Sequence, residues 1–473
     1  MLFSTIVFVC CFLPAVLLIY YIVLRRKRQT QNYFLLIASL LFYAWGEPLF
    51  VFVLILSFTG NWAFGLLVDK YSGRRAAKSA LAAMLFFNLS IIFIFKYLMF
   101  TVLNINLLLG GGLTVPVIML PIGISFFTFQ AISYVVDIYR GKKAVQKNLL
   151  NAGLYIAFFP QLVAGPIIRY ETIADQIMGR EENFGAFSQG VCRFIVGLSK
   201  KVLLANSFAV IADRSFAMAQ SGETSITFAW LGAACYALQI YFDFSGYSDM
   251  AIGLGKMFGF RFPENFNYPY ISKSAVEFWR RWHISLGSWF RDYVYIPLGG
   301  SKVPSKARLI FNLSAVWLLT GIWHGADWTF ICWGLYYFVF ISLEKLTRFE
   351  ERAIPAPVRH IYLLLVVLVG WVLFRADSML DALDFLGIMF GFAGKPLVDA
   401  NTIVYLGENL VYILFGLIFS TPIAKSISLR TGGMTSGKAA ADTAYVVAFA
   451  AVFLLSMSYL VKGAYNPFIY FNF

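Results

Sequence analysis

The stretch "TGIWHGADWTFICWG" (residues 320–334) places one histidine and one aspartate among tryptophans, glycines and aliphatic residues. The whole chain has only three histidines, so this one stands out. A titratable side chain in so apolar a segment costs free energy and needs a bonding partner or a chemical role. His324 and Asp327 are therefore the first candidate functional residues.

The rest of the chain is as apolar as this stretch. Of its 473 residues, 60% are hydrophobic and 13% are charged, whereas soluble domains have about 25% charged residues. Apolar runs long enough to cross a bilayer recur throughout, which predicts an all-α polytopic membrane protein with about ten to twelve spans. The candidate spans are residues 3–24, 33–45, 49–68, 79–99, 115–136, 150–168, 225–242, 309–323, 328–343, 361–375, 403–422 and 442–461.

Charge patterning predicts the orientation of these spans. Only Met1 and Leu2 precede the first apolar run and a basic cluster follows it, which indicates a retained span and not a cleaved signal peptide. The positive-inside rule places the basic loops in the cytoplasm and both termini, including Phe473, outside it. The basic residues concerned are Arg25–Arg28, those of 73–78 and 140–143, and Lys425, Arg430 and Lys438.

Other function classes find little support in the composition. The net charge of +14 arises from basic residues in short loops between apolar runs, so we expect no nucleic-acid binding. The five cysteines include no CxxC pair and no metal-type spacing, so we expect packed thiols and no metal site.

Residues 150–335 differ in composition from the rest of the chain, because polar residues, prolines and glycines repeatedly interrupt the apolar sequence. Irregular backbone at membrane depth is tolerated only where protein or a water-filled cavity satisfies it. The stretch "FFPQLVAGPIIRY" (158–170) is predicted to be a broken or re-entrant helix, or a proline-kinked span. Asp243 and Asp249 are interpreted as hydrogen-bonding helix ends and loops; an acid/base pair or a cation site is the alternative.

The segment 277–300, "EFWRRWHISLGSWFRDYVYIPLGG", contains a second histidine, His283, directly after Arg280, Arg281 and Trp282. Four residues share one face at helical spacing, which predicts an amphipathic or re-entrant helix near the membrane interface. Anchoring at the membrane surface and binding of an anionic substrate explain the arginines equally well. The residues of the shared face are Phe278, Trp282, Ser285 and Trp289.

Together, 277–300 and "LTGIWHGADWTFICWG" (319–334) resemble the signature of the membrane-bound O-acyltransferase family, most closely its bacterial alginate O-acetyltransferase (AlgI-type) branch. The resemblance covers essentially the full chain. It implies a helical funnel with re-entrant helices and a central tunnel, in one integral-membrane domain over 1–473 with a motif-bearing core at roughly 115–335. The further matching stretches are 36–48, 120–141, 158–169, 241–253 and 465–473.

This resemblance also implies an activity. His324, in the WHG motif, matches the catalytic histidine of the family, and His283, in the RWH motif, matches the second. An acyl group, expected to be acetyl, would pass from cytoplasmic acetyl-CoA across the bacterial inner membrane for O-acetylation of alginate or another cell-envelope glycan. Acetyl-CoA is then a substrate, and no bound cofactor is expected. The implied partners are an extracytoplasmic SGNH-type acetyltransferase or acyl-acceptor protein, the machinery of polysaccharide synthesis and export, and membrane lipid.

The residues around His324 suit acyl transfer chemically. Moving an acetyl group from a thioester to an alcohol needs a base, and an imidazole with a pKa of about 6.5 is suited to that near neutral pH. Gly321 and Gly325 are expected to leave room for an acyl–pantetheine arm. Asp327, at i+3 on a helix and so on the same face as His324, would orient the ring as the third member of a triad does; a helix or loop hydrogen bond is the equal alternative. The candidates for binding the phosphates of CoA are Arg280, Arg281, Lys273 and Lys302.

The tail "YNPFIYFNF" (465–473) follows the last span. Pro467 ends any helix near Asn466, which predicts a short aromatic tail left free on the outer side. Interfacial anchoring is one interpretation. The tail also resembles the terminal tyrosine motif of small partner peptides in bacterial D-alanylation systems, which implies that Tyr470 relays the acyl group.

Two interpretations from other classes stay open at this point. One is a polytopic transporter or flippase with a buried His/Asp relay, for which internal repeats would be expected. The other is a scaffold that recruits secreted polysaccharide-modifying enzymes without chemistry of its own. Thioester turnover by the purified protein separates both from an enzyme.

Overall fold

A computed structural model describes residues 1–25, 27–430, 439–463 and 465–469. These described residues are predominantly helical and contain no β-strand among them. They form two compact units, Met1–Phe194 with Tyr247–Pro263, and Ile195–Gly246 with Glu264–Phe473. The single integral-membrane domain that the resemblance implies over residues 1–473 stays a prediction.

Polar pairs help to hold the apolar helices of the first unit together. Asn61 and Asn88 exchange side-chain hydrogen bonds of 3.0 and 2.8 Å, as polar residues do between helices that lipid surrounds. Arg193 pairs with Asp249 at 2.6 Å. The helices are α1 Val7–Val23, α2 Arg28–Ala44, α3 Val51–Lys70, α4 Arg75–Leu109, α5 Ile124–Tyr139, α6 Leu149–Ala157, α7 Phe159–Leu162 and α8 Tyr170–Gly179, with parts of α9 Phe184–Gln220 and α10 Ile226–Met257.

The second unit contains an aromatic core with fully buried rings, among them Trp333, Tyr337 and Trp371. Both candidate histidines lie in this unit. Besides the remaining parts of α9 and α10, its helices are α11 Ala275–Arg281, α12 Ile284–Phe290, α13 Lys306–His324, α14 Trp328–Leu346, α15 Ala356–Arg375, α16 Met379–Met389, α17 Ala400–Phe419, α18 Ile423–Arg430 and α19 Ala439–Val461.

The predicted break in 158–170 is confirmed. Phe158 adopts an extended backbone conformation between α6 and α7, and Gly165 packs so closely that a Cβ there would lie 2.6 Å from the Cα of Gln161.

The predicted span 115–136 is wrong in its first half, which is not helical, because α5 begins only at Ile124. Pro116 and Pro121 lie in that half, and proline is excluded from a helix interior.

The all-α, multi-pass membrane architecture is confirmed. Within the described residues, seven helices are long and apolar enough to cross a membrane, and α1 and α5 are shorter apolar helices. Six of the twelve predicted spans coincide with six of these seven helices, and the seventh, Phe184–Gln220, was not predicted. Of the other six predicted spans, 3–24 and 115–136 correspond to the shorter helices α1 and α5, 33–45 and 309–323 lie in α2 and α13, 150–168 is broken, and 225–242 lies in the first half of α10. The exact number of crossings stays a prediction. The seven helical stretches are Val51–Lys70, Arg75–Leu109, Phe184–Gln220, Trp328–Leu346, Ala356–Arg375, Ala400–Phe419 and Asp442–Val461.

The orientation of the spans can be tested directly. We expect an alkaline phosphatase reporter fused after Phe473 to be active, since the basic residues before the last span predict a cytoplasmic loop and an external C-terminus. The same reporter inserted in the basic loop 73–78 is the control and should be inactive. A C-terminal fusion that works only with a cytoplasmic reporter contradicts the topology. Arg26, Lys438 and Phe473 lie outside the described residues.

Candidate active site

His324 is the last residue of α13 and lies in an aromatic pocket. Its ring meets those of Trp333 and Phe374 edge-on, with centroids 4.9 and 5.1 Å apart, and the residue is 4% exposed. The sequence interpretation of a histidine buried among apolar groups is therefore confirmed.

Close helix packing creates this pocket. A Cβ on Gly321 would lie 2.5 Å from the carbonyl oxygen of Phe330, and one on Gly334 would lie 2.5 Å from that of Trp317. Small residues of this kind let two helices approach closely, here α13 and α14. A Cβ on Gly325 would lie 2.1 Å from the Phe330 ring. The expectation that Gly321 and Gly325 leave room for a pantetheine arm is thus wrong, because neighbouring residues fill that space.

Asp327 has a different role from the orienting one considered above. The helix ends at His324, so the two residues do not share a helical face. Asp327 instead caps the start of α14, where its Oδ1 accepts a 2.9 Å hydrogen bond from the backbone N–H of Thr329. The alternative interpretation, a helix or loop hydrogen bond, is the observed one.

His283 lies where the second predicted helix breaks. The face from Phe278 to Trp289 is divided between α11 and α12, and His283 joins them with left-handed backbone angles, φ 44° and ψ 52°. Its Nδ1 lies 3.2 Å from the Oδ1 of Asn265. The residue is 1% exposed, and this burial lowers the pKa of His283 to about 3. The ring is therefore neutral in the physiological range.

The two histidines share a neighbour. The ring of Trp323 lies 6.0 Å from that of His283 and 4.9 Å from that of His324, measured between centroids. The fold therefore brings the WHG and RWH motifs together, as the resemblance implies.

A cavity of about 450 Å³ opens beside His283. His283, Trp279 and Trp317 are among its lining residues, with cationic side chains of Arg280, Arg291 and Lys345. Such a cavity combines apolar walls with three cationic side chains, of which Arg291 pairs with Asp292 at 2.7 Å and Arg280 lies 3.8 Å from Glu350. It suits a ligand that has a slender apolar arm and an anionic end.

The four residues predicted to bind the phosphates of CoA do not all line this cavity. Arg280 lines the cavity, whereas Arg281 does not line it and forms an ion pair with Glu277 at 2.9 Å. Lys273 and Lys302 are exposed and are not among the residues that line this cavity. Sequence reasoning missed Lys345, because a lysine at the end of a span resembles any other interfacial charge.

A buried carboxylate fixes the helix that leads to His283. Glu344, in α14, accepts hydrogen bonds from the backbone N–H groups of Ala275 and Val276 at 2.7 and 2.9 Å and from the Tyr362 hydroxyl at 3.0 Å. The first N–H groups of a helix have no partner within it and attract negative charge. Glu344 therefore holds the start of α11.

Residues 467–469 of the C-terminal tail are docked and not free, which corrects the sequence expectation for this part of it. The backbone N–H of Ile469 donates to Asp243 Oδ2 at 3.0 Å, and Lys201 donates to the carbonyl oxygen of Pro467. Lys201 and Asp243 form an ion pair of 2.7 Å, with side chains 3% and 2% exposed. A buried charge is stable only when it is paired and hydrogen-bonded, and here the tail supplies part of that bonding. Tyr470 and Asn472 lie outside the described residues.

Comparison with known proteins gives consistent results. Residues 6–376 match the model of the membrane-bound O-acyltransferase family. The chain is 39% identical to a probable alginate O-acetylase of Pseudomonas putida over the full length of both proteins. It is 32% identical to a peptidoglycan O-acetyltransferase of Helicobacter pylori, covering 93% of this chain and 91% of that protein. A teichoic acid D-alanyltransferase of Bacillus subtilis is 31% identical over 47% of this chain and 58% of its own length.

Proposed function

The chain belongs to the membrane-bound O-acyltransferase family, and on that premise we propose that it takes an acetyl group from cytoplasmic acetyl-CoA and passes it across the inner membrane. The final acceptor is an extracytoplasmic polysaccharide, alginate or another cell-envelope glycan. The relatives whose names state O-acetylation support this acceptor class. The family also favours an enzyme over the transporter and scaffold alternatives.

The observation that carries the proposal is the cavity beside His283. Its tryptophan walls suit the pantetheine arm of CoA, and Arg280, Arg291 and Lys345 suit the phosphates at the other end. Guanidinium groups bind phosphate oxygens in pairs, and lysine acts as a point charge. We assign these three residues to donor binding in place of Arg281, Lys273 and Lys302.

The transfer itself needs one proton acceptor and one leaving group. His324 takes the proton of the attacking hydroxyl while the hydroxyl oxygen forms a bond to the thioester carbonyl carbon. The carbon–sulfur bond then breaks, and the imidazolium returns the proton to the departing thiolate. His283, beside the cavity and near Trp323, positions the pantetheine arm by accepting a hydrogen bond from one of its amide N–H groups.

The hydroxyl that attacks first is assigned to Tyr470. Its phenolic oxygen becomes acetylated and passes the group to an extracytoplasmic SGNH-type acetyltransferase or acyl-acceptor protein linked to polysaccharide synthesis and export. The docked tail supports this assignment, since Lys201 and Asp243 fix the residues just before Tyr470 in the unit that contains both histidines.

Binding of the acyl donor, acetyl-CoA, is tested by removing single positive charges from the cavity. We expect Lys345→Ala and Arg280→Ala each to raise the KM for acetyl-CoA by about tenfold or more, because a hydrogen bond to a charged group contributes about 1.5–3 kcal/mol. Turnover of a short acetyl-pantetheine thioester, which lacks the nucleotide phosphates, should change little.

Arg281→Ala is the matched control for that experiment. The substitution removes the same charge from the position next to Arg280, but Arg281 pairs with Glu277 and does not line the cavity. An unchanged KM for acetyl-CoA in Lys345→Ala and Arg280→Ala, or an equal rise in Arg281→Ala, contradicts the assignment of the cavity to CoA.

A further inference from the structure

The backbone around His283 is fixed by a short neighbouring segment that begins at Asn265. The backbone N–H of Ile284 donates to the carbonyl oxygen of Asn265 at 2.9 Å, and that of Asn267 donates to the carbonyl oxygen of Arg281 at 2.9 Å. His283 is held between these two bonds with φ at 44°. A non-glycine residue rarely adopts this conformation unless its surroundings impose it. Asn265 and its neighbours therefore determine where the imidazole points.

The side chain of Asn265 also determines which ring nitrogen carries the proton. Its Oδ1 lies 3.1 Å from the backbone N–H of Ser285 and 2.9 Å from the Ser285 hydroxyl. Because a backbone N–H can only donate, the amide atom facing it must be the oxygen. The Nδ1 of His283 lies 3.2 Å from the same oxygen. The Ser285 hydroxyl also lies 3.4 Å from Nδ1, but its 2.9 Å contact with the Asn265 oxygen is shorter, so its hydrogen goes to that oxygen. Two acceptors do not form a hydrogen bond, so Nδ1 carries the hydrogen.

We propose that Asn265 is a positioning residue that holds His283 as the Nδ1–H tautomer, so that Nε2 is the nitrogen able to accept a proton or hydrogen bond at the cavity. The significance of this for acyl transfer rests on the function proposed above. With the opposite tautomer, the same ring would present a donor and could not accept from an amide N–H of the pantetheine arm. Asn265 thus sets the chemical role of His283 without touching substrate.

The tautomer is measured by nitrogen NMR of the purified protein labelled with ¹⁵N-histidine. The chain has three histidines, so His283→Ala identifies the signals of this ring. We expect a pyrrole-type Nδ1 and a pyridine-type Nε2 in the wild type, unchanged between about pH 5 and 8, since burial keeps the ring neutral. Asn265→Ala should give a mixture of tautomers or the Nε2–H form. A protonated Nε2 in the wild type, or an unchanged spectrum in Asn265→Ala, overturns the proposal.

Activity provides a second readout. Asn265→Ala should lower kcat at least about tenfold with little change in the KM for the thioester, since a wrong tautomer removes the needed acceptor. Asn265→Asp keeps the shape and the acceptor oxygen but adds a negative charge beside Nδ1–H. That charge raises the pKa of His283, so activity should be lost at a higher pH than in the wild type as the solution is acidified.

A matched control is Asn312→Ala. Asn312 is also a buried asparagine of the second unit, but its amide donates to the carbonyl oxygen of Gly300 at 3.0 Å. It should leave both the His283 signals and the pH profile unchanged. An Asn265→Asp profile identical to that of the wild type overturns the proposal. If wild-type protein fails to turn over acetyl-CoA, the proposed function fails, while the NMR result still decides the tautomer.

Discussion

His324→Ala is expected to lower acetylation of the polymer by about 10²–10⁴-fold, the usual effect of removing a general base. The substitution removes the imidazole between Trp333 and Phe374 and leaves no other base at that position. Acetyl content of the polymer is the measurement, normalised to the amount of the protein in the membrane fraction. His324→Gln, which fills more of the space left by the ring, should be as inactive as His324→Ala.

The third histidine supplies the control. The Nδ1 of His360 lies 3.0 Å from the carbonyl oxygen of Ser272, at the start of α15 and away from the aromatic pocket of His324. His360→Ala should therefore retain acetylation within a few-fold of the wild type. Near-normal acetylation in His324→Ala removes this residue from the mechanism. His283→Ala should be severely impaired, because it loses the side chain that positions the pantetheine arm.

Tyr470→Phe is expected to abolish acetylation of the polymer to the same degree as His324→Ala. The change keeps the aromatic ring, and with it any anchoring at the membrane interface, and deletes only the oxygen that would carry the acetyl group. Acetyl-labelled protein should be recovered from the wild type by mass spectrometry of the C-terminal peptide and should be missing from the variant.

Tyr465→Phe is the matched control for the relay. Tyr465 lies in the same tail, but its hydroxyl donates to Asp213 Oδ2 at 2.8 Å. Tyr465→Phe should retain acetylation within a few-fold of the wild type, because Pro467 and Ile469 keep their bonds to Lys201 and Asp243. Normal acetylation by Tyr470→Phe means that Tyr470 is an anchor and that the hydroxyl that attacks first belongs to another molecule.

Sequence reasoning identified the features that local composition reveals. Both histidines were recognised because polar residues in apolar motifs are conspicuous, and the break in 158–170 was predicted because proline and glycine end helices. Asp243 was correctly interpreted as a structural acceptor for a loop. The binding partners Lys201 and Ile469, however, are far from it in sequence, and no local pattern joins them.

The failures have the same physical origin. Asp327 was placed on one helix face with His324 because the helix was assumed to continue, whereas it ends at His324 and Asp327 caps the next helix. Gly321 was interpreted as open space when it is the contact surface of two helices. Asn265 attracted no notice, since an asparagine in a loop near prolines is typical of turns. Only three-dimensional proximity to His283 reveals its role.

Transacylation at the buried histidines can be followed with purified protein in lipid nanodiscs. Acetyl-CoA is supplied, and the release of free CoA thiol is followed over time for wild type and for His324→Ala. We expect thiol release by the wild type, accompanied by acetyl label on the protein, and loss of both in His324→Ala. Equal thiol release by the two proteins, or none by correctly folded wild type, contradicts transacylation at these histidines.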